Sequence, residues 1–501
     1  YVRPVSSWKV AVFEHQVIPP KTDMETREEA LDALKLNSDV YHEAVLESRS
    51  KGVKMIVFPE YGLYDINTLT RTRMDLMAEK VPHPKHGHRN PCDEPEYQTQ
   101  SSEMLRTFSC MAKENDMYMV VNMAGREPCR RATEPECPGD KQLLYNTNVA
   151  FNNEGDVVAR YYKTHLFWEE GWFNSSKNYE MALWDTPIGK FGTFMCFDFQ
   201  AVQLIEQYNV RHIAYPASWV NLPPIYQSIQ SHSAFARFAK INLLAASVHR
   251  LETSTYGSGI YSPNGAEIFY FRPDIPKSKL LVAEILPIHV KKPEQTVVNF
   301  DNPVFPSEDD DVQDLFDRGD FAFLKYKRMT TRAGTVEVCQ KSFCCKARYA
   351  VKDRFKEVYA VGVYDGLLSA GANNLYFQIC TVIQCPHKKC GLKISKVRTH
   401  FKYLNLRADG WLDRYVFPSY TVMYNNYIAL DPFVWNYTEA GGIETKPGTS
   451  TPLHSANLVA RIYAKDSSKH VHQSHPIDEG VIKMAVKYML YVMAAYVYAA
   501  S

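Results

Sequence analysis

Three residues of unlike chemistry close apolar runs in this chain: Glu60 in "MIVFPEYG", Lys163 in "VARYYKTHLF" and Cys196 in "GTFMCFDFQ". A carboxylate, an ammonium and a thiol are what acyl transfer from an amide requires. The thiol attacks, the carboxylate removes and later returns a proton, and the cation steadies the oxygen that becomes negative. A thiolate is a strong nucleophile once a neighbouring base takes its proton, and a nearby cation favours the anionic forms around it. Taken singly, each residue has a plainer reading. Free cysteine is a common small core filler, and a charge at the end of a buried strand is usually the chain's return to solvent. Three strand ends carrying Glu, Lys and Cys in that order outweigh those readings.

The elements that must position them are legible as alternating patterns over residues 1–290. "WKVAVFEHQV" and "VKMIVFPE" are short apolar runs of the kind that fill strands buried on both faces. Between them Leu36, Val40, Tyr41, Ala44 and Val45 recur at helical spacing, and Gly52 is a helix stop. The strand-like segments "MYMVVNMAG", "NTNVAFN", "DVVARYYK", "FGTFMCFDF", "VRHIAYPAS" and "INLLAASVH" follow, with a helix expected from Pro224 to Ala239. The order predicts an α/β sandwich with its site at strand ends. Residues 291–319, rich in proline and acid, read as a linker, and Glu308 to Asp311 as a solvated loop without a calcium-binding glycine turn. "TVEVCQ", "EVYAVGVYDG", "LYFQICTVIQ" and "LVARIYAK" predict a mainly-β domain over 320–465.

The chain has 501 residues, 45% of them hydrophobic, which is enough for two or three domains. Lys plus Arg (57) nearly balance Asp plus Glu (56), so no global field draws in nucleic acid or an anionic membrane. A small uncharged partner fits better. Of eleven cysteines, ten form two clusters: Cys92, Cys110, Cys129, Cys137, then Cys339, Cys344, Cys345, Cys380, Cys385, Cys390. If each cluster pairs within itself, Cys196 is the single free thiol. Zinc at the second cluster, with His387 in reach, is the alternative, but its spacing lacks paired CxxC knuckles. A start at Tyr1 without a leader, and acceptor tripeptides at Asn174 ("NSS") and Asn436 ("NYT"), fit a processed, disulfide-bonded, secreted or surface protein. The tail 466–501, apolar from Met484 to Ser501, reads either as a cleavable lipid-anchor signal or as a docked amphipathic helix.

The segments around the three residues resemble those of the nitrilase superfamily, and above all its secreted branch, the vanins (pantetheinases) and biotinidase. The likeness continues in "FPEYGLYDIN", "QLLYNTNVAF", "YPASWVNLPP", "GSGIYSPNG", "VEVCQKSFCCKARY" and "YAVGVYDGL", and so runs through nearly the whole chain. The resemblance implies an α-β-β-α sandwich with a disulfide-stapled, mainly-β C-terminal domain. It makes Cys196 the nucleophile, Glu60 the general base and then acid, and Lys163 the cationic stabiliser, with Glu170 in "FWEEGWF" helping to hold the site. The backbone N–H of Phe197 is the expected second oxyanion donor, and Trp219 and Tyr226 are candidates for the substrate pocket. The segment after the nucleophile, "CFDFQAVQLIEQYNV", is a few residues shorter than in vanins, which puts the acyl group in question while leaving the chemistry.

The resemblance implies hydrolysis of a linear amide through a cysteine thioester, without metal or organic cofactor. Pantetheine, cleaved to pantothenate and cysteamine, is the first substrate it suggests, and biotinyl amides are the second. A ligand-carrying or storage protein on the same fold is the non-enzymatic alternative, since fold alone does not guarantee activity.

Overall fold

The computed structural model describes residues 7–20, 24–87, 89–167, 171–199, 202–221, 224–288, 297–298, 324–370, 373–385, 397–424, 427–430, 434–438 and 441–468. Two six-stranded sheets come first. One is formed by β1 (Trp8–Glu14), β2 (Met55–Val57), β3 (Tyr118–Pro128), β4 (Gln142–Phe151) and β5 (Val157–Tyr162). The other is formed by β6 (Ala182–Thr186), β7 (Gly189–Thr193), β8 (His212–Ala217), β9 (Asn242–Ser247), β10 (Ser258–Ser262) and β11 (Gly265–Tyr270), after which β12 (Lys279–Ile285) returns to the first sheet. The orders are β12-β1-β2-β3-β4-β5 and β11-β10-β9-β8-β7-β6. In each sheet three neighbouring strands run parallel, β1 to β3 and β7 to β9.

Parallel neighbours need crossovers, and helices supply them. These are α1 (Arg27–Ser50), α2 (Arg71–Met77) and α3 (Glu103–Glu114) beside the first sheet, and α4 (Val202–Tyr208) and α5 (Ser228–Ala239) beside the second. Alternation along β1 shows the layering. Val10 and Val12 meet Phe191, Ala214 and Leu244 of the second sheet, whereas Ala11 and Phe13 pack with Tyr41 of α1 and Phe108 of α3. Ile213 and Tyr215 of the second sheet likewise face Ile229 and Phe235 of α5. The product is an α-β-β-α sandwich whose parallel strands are buried on both faces, which is why they read as continuous apolar runs.

α1 begins at a capping box, Thr26 with Glu29, and Gly52 just beyond its end takes the left-handed φ of +72°. α5 starts at Ser228, later than the expected Pro224. The Ser228 N–H donates to Asn221 Oδ1 at 2.8 Å, and Ile225 is occupied by the C-terminal sheet, so 224–227 is an approach segment rather than a first turn.

Among the described residues the C-terminal region forms a thirteen-stranded sheet system, including Ala333–Gln340, Phe343–Val351, Val358–Ala370, Asn373–Cys385 and Thr451–Arg461. Val297–Val298 pairs with Tyr427–Leu430, so part of the expected linker is a strand of this system. Disulfides join Cys92–Cys110, Cys129–Cys137, Cys339–Cys344 and Cys345–Cys380. Cys385 is disulfide-bonded too, so the described cysteines of the second cluster, Cys339, Cys344, Cys345, Cys380 and Cys385, are held in disulfides rather than as zinc ligands. Cys196 is the free cysteine among the described residues. Cys390, His387, Glu308 to Asp311 and the tail from 469 lie outside the described residues. Among those described, no helix is long and apolar enough to cross a membrane.

Candidate active site

Glu60 stands just beyond β2, in a turn whose next residue, Tyr61, has a φ of +55°. The Tyr61 N–H donates to Asn122 Oδ1 at 3.0 Å, while the buried Arg250 guanidinium donates to the carbonyls of Tyr61 and Tyr64. These contacts hold the Glu60 carboxylate in the interior, where it is 0% exposed. Lys163 is the first residue after β5, and its Nζ donates to Glu60 Oε1 at 2.8 Å. Asn146 Nδ2 donates to the same oxygen at 2.8 Å, and the Ser218 N–H donates to Oε2 at 3.0 Å. A carboxylate and an ammonium can be buried together only when hydrogen bonds replace the lost water, and these do so.

Cys196 corrects a sequence expectation. β7 ends at Thr193, and the cysteine follows it at the head of a 3₁₀ turn, Cys196–Asp198, rather than within or at the end of a strand. Its φ is +34°, a left-handed conformation that costs a residue with a side chain about 1–3 kcal/mol and must be held from outside. Tyr215 OH donates to the Cys196 carbonyl at 2.6 Å. A trans peptide points its C=O and N–H in opposite directions, so this bond also turns the Phe197 N–H away from Tyr215. Asp198, fully buried, accepts from Tyr161 OH (2.5 Å), the Thr164 N–H (3.2 Å), the His165 N–H (2.8 Å) and His165 Nδ1 (2.6 Å). One carboxylate thus joins the cysteine's turn to the segment that follows Lys163.

The half-buried thiol donates to the Ser218 carbonyl at 3.6 Å, so the Ser218 peptide touches both Cys196 and Glu60. Burial first, and then the Glu60 carboxylate, push the Cys196 thiol well above its ordinary range, and Lys163 only partly opposes them. The resting group is therefore a neutral thiol beside a carboxylate, which favours proton transfer to that carboxylate during reaction over a standing thiolate.

The structure brings Glu60, Lys163, Cys196 and Phe197 together. Glu170 lies outside the described residues. The Phe197 ring is half-buried against Phe167, 5.1 Å between centroids. Trp219 is taken up by packing rather than by an open pocket wall. It is buried against Phe199 and His232, and its indole N–H donates to the Tyr226 carbonyl. Tyr226 packs edge-on to Phe377 of the C-terminal sheet, and burial pushes its hydroxyl up so that it stays protonated. Asn436 is exposed, whereas Asn174 is half-buried with its side-chain oxygen accepting from the Leu144 N–H at 3.0 Å.

Sequence reading missed Asn146, Asp198, Tyr215 and Ser218. The available signals were polar residues inside otherwise apolar segments, "NTNVAF", "CFDF" and "AYPAS".

Residues 28–204 match the carbon-nitrogen hydrolase family, and residues 313–466 match the vanin C-terminal domain. The chain is 32% identical to pantetheinase of Mus musculus, over 92% of this chain and 90% of that protein. It is 34% identical to pantetheinase of Bos taurus, over 91% and 90%. Biotinidase of Rattus norvegicus is 32% identical, over 91% of this chain and 93% of its own length.

Proposed function

The chain belongs to the pantetheinase and biotinidase branch of the carbon-nitrogen hydrolases, and on that premise we propose that it hydrolyses a linear amide through a thioester on Cys196, with pantetheine as the leading substrate. The observation that carries the proposal is the contact set around Glu60. Its carboxylate is paired with Lys163 and lies beside a neutral thiol.

In the proposed cycle Glu60 takes the thiol proton as Sγ attacks the amide carbonyl. The carbonyl oxygen becomes negative and is met by the Lys163 ammonium and the Phe197 N–H. As the C–N bond breaks, Glu60 returns the proton to the leaving amine, and the acyl group remains on sulfur. Glu60 then draws a proton from water, which attacks the thioester; as the C–S bond breaks Glu60 hands that proton to the sulfur, and the acid leaves with the carboxylate and thiol restored. Lys163 serves by its fixed charge and needs no change of protonation.

The biotinidase relatives support a second substrate class, biotinyl amides. The four disulfides and the disulfide-bonded Cys385 fit an oxidising compartment, and we place the protein outside the cell or on its surface. The deciding assay measures amine released from pantetheine and from biocytin. Release from pantetheine in preference to biocytin supports the first reading, and the reverse supports the second. Binding of either without release favours a carrier.

A further inference from the structure

The turn that carries Cys196 is held from two sides, and one of them is the C-terminal sheet. The strand Thr451–Arg461 pairs with Asn373–Cys385, and beyond its end the chain makes a short hook over residues 461–466. Arg461 and Asp466 close the hook with an ion pair, Nη1 to Oδ1 at 2.5 Å and Nη2 to Oδ2. Tyr376 pins it to the sheet. Its carbonyl accepts from the Ile462 N–H at 3.0 Å and from Arg461 Nη1 at 3.2 Å, and its N–H donates to Asp466 Oδ1 at 2.9 Å. The Arg461 side chain is 2% exposed, with its guanidinium over the rings of Phe197 (5.4 Å), Phe377 (5.1 Å) and Tyr463 (4.5 Å).

Tyr463, held within this hook, reaches across to the cysteine's turn. Its hydroxyl donates to the Phe199 carbonyl and lies 3.3 Å from the Phe197 carbonyl. On the other side Tyr215 holds the Cys196 carbonyl. The carbonyls of residues 196, 197 and 199 are therefore all engaged by two tyrosines from different parts of the fold. A left-handed residue followed by a tight turn has no such order of its own. Tyr215 sets the plane of the peptide that carries the Phe197 N–H, and Tyr463 sets the plane that follows Phe197, so together they limit rotation at that residue and hold the direction of its N–H. Burial keeps both phenols protonated, so both remain donors at neutral pH.

We propose that Tyr463 is a positioning residue for the hydrolytic site: the C-terminal sheet, through the Arg461–Asp466 hook, holds the turn of Cys196 in the shape that aims its oxyanion donor. This rests on the hydrolase reading above. It assigns the second region a part in the reaction that its distance in sequence from Cys196 does not suggest.

The test uses the full chain and two reactions of the same thiol. Alkylation by iodoacetamide needs the sulfur but builds no oxyanion, whereas amide hydrolysis needs both. Tyr463→Phe removes only the hydroxyl. It should lower kcat on the amide by roughly ten-fold or more while KM and the alkylation rate stay within about two-fold. Asp466→Asn, which loosens the hook without touching the turn, should lower kcat in the same direction by less. Unchanged kcat in Tyr463→Phe overturns the proposal. So does a loss of kcat matched by equal loss of alkylation and a lowered melting temperature, because that pattern marks a general structural role. If the unaltered protein alkylates but releases no amine from any amide, the hydrolase reading itself fails, and the positioning role falls with it.

Discussion

Glu14 and Glu60 make an instructive pair. They close or follow neighbouring parallel strands, β1 and β2, and both carboxylates are 0% exposed. Each has a basic partner: Glu14 Oε1 accepts from His249 Nδ1 at 2.5 Å, as Glu60 Oε1 accepts from Lys163. Both also accept a backbone N–H, from Gly257 and from Ser218. The difference lies in what stands next. His249 spends its other nitrogen on the Ile275 carbonyl, so the Glu14 network ends in backbone and ties β1 to the loop after β9. Glu60 instead stands beside the Cys196 thiol, the two joined through the Ser218 peptide. Burial and an opposite charge make a carboxylate structural. A nucleophile beside it makes the same arrangement chemical.

The largest expected effect separates the two directly. Glu60→Gln should lower kcat on the amide by on the order of 10²–10⁴-fold, because general-base help is lost. Glu14→Gln should leave kcat within a few-fold and instead lower stability by about 1–3 kcal/mol, through weakened buried hydrogen bonds. Steady-state kinetics beside urea melts of both variants checks this. Equal losses of kcat would break the comparison.

Buried histidines sharpen the same contrast between silent and reactive groups. Burial lowers His232 to about 3 and His15, His212 and His454 to about 4. Between the ordinary 6.5 and those values the unfolded chain binds protons that the folded chain refuses. Stability should therefore fall as pH drops through that window, by up to about 1.4 kcal/mol per pH unit for each histidine. The rings of His232 and His454 have no hydrogen-bond partner among the described residues. His454→Phe, measured by urea unfolding from pH 7 to pH 5, should flatten the slope without changing kcat at pH 7. A slope equal to that of the unaltered protein would remove His454 from the account.

The smallest effect concerns the two acceptor asparagines. Exposed Asn436 should carry a glycan, so Asn436→Gln should lower the mass of the protein made in a secreting cell and leave activity unchanged. Asn174 holds the Leu144 N–H, so its replacement should cost about 1 kcal/mol of stability whether or not it is modified. A mass unaffected by Asn436→Gln would refute the first expectation.

These contrasts also mark how far the sequence could be read. The sandwich was legible because its parallel strands are buried on both faces and so appear as unbroken apolar runs, "WKVAVFE" and "MIVFPE" among them. Glu14 and Glu60 were not distinguishable on that ground. Both close such a run, and it took the company of Lys163 and Cys196 at other strand ends, and then the resemblance around "FPEYGLY", to single out the second. Cysteine parity left Cys196 as the odd thiol, but its position on a turn with a φ of +34° was hidden, because "FGTFMCFDF" has the composition of a continuous strand. Asp198 and Tyr463 were beyond reach for a different reason. Their partners lie at Tyr161 to His165 and at Phe197 to Phe199, and such pairings are made by tertiary packing rather than by local pattern.

The central claim is that Cys196 forms a thioester with the acyl group of an amide, and intact mass spectrometry after acid quench tests it most directly. With a slowly hydrolysed pantetheine analogue, the unaltered protein should gain the acyl mass in step with release of the amine. Cys196→Ala should gain nothing, and Glu60→Gln should gain the same mass far more slowly. A protein that retains the analogue through gel filtration under native conditions, yet shows no covalent mass and releases no amine, would contradict the account and leave a binding protein in its place.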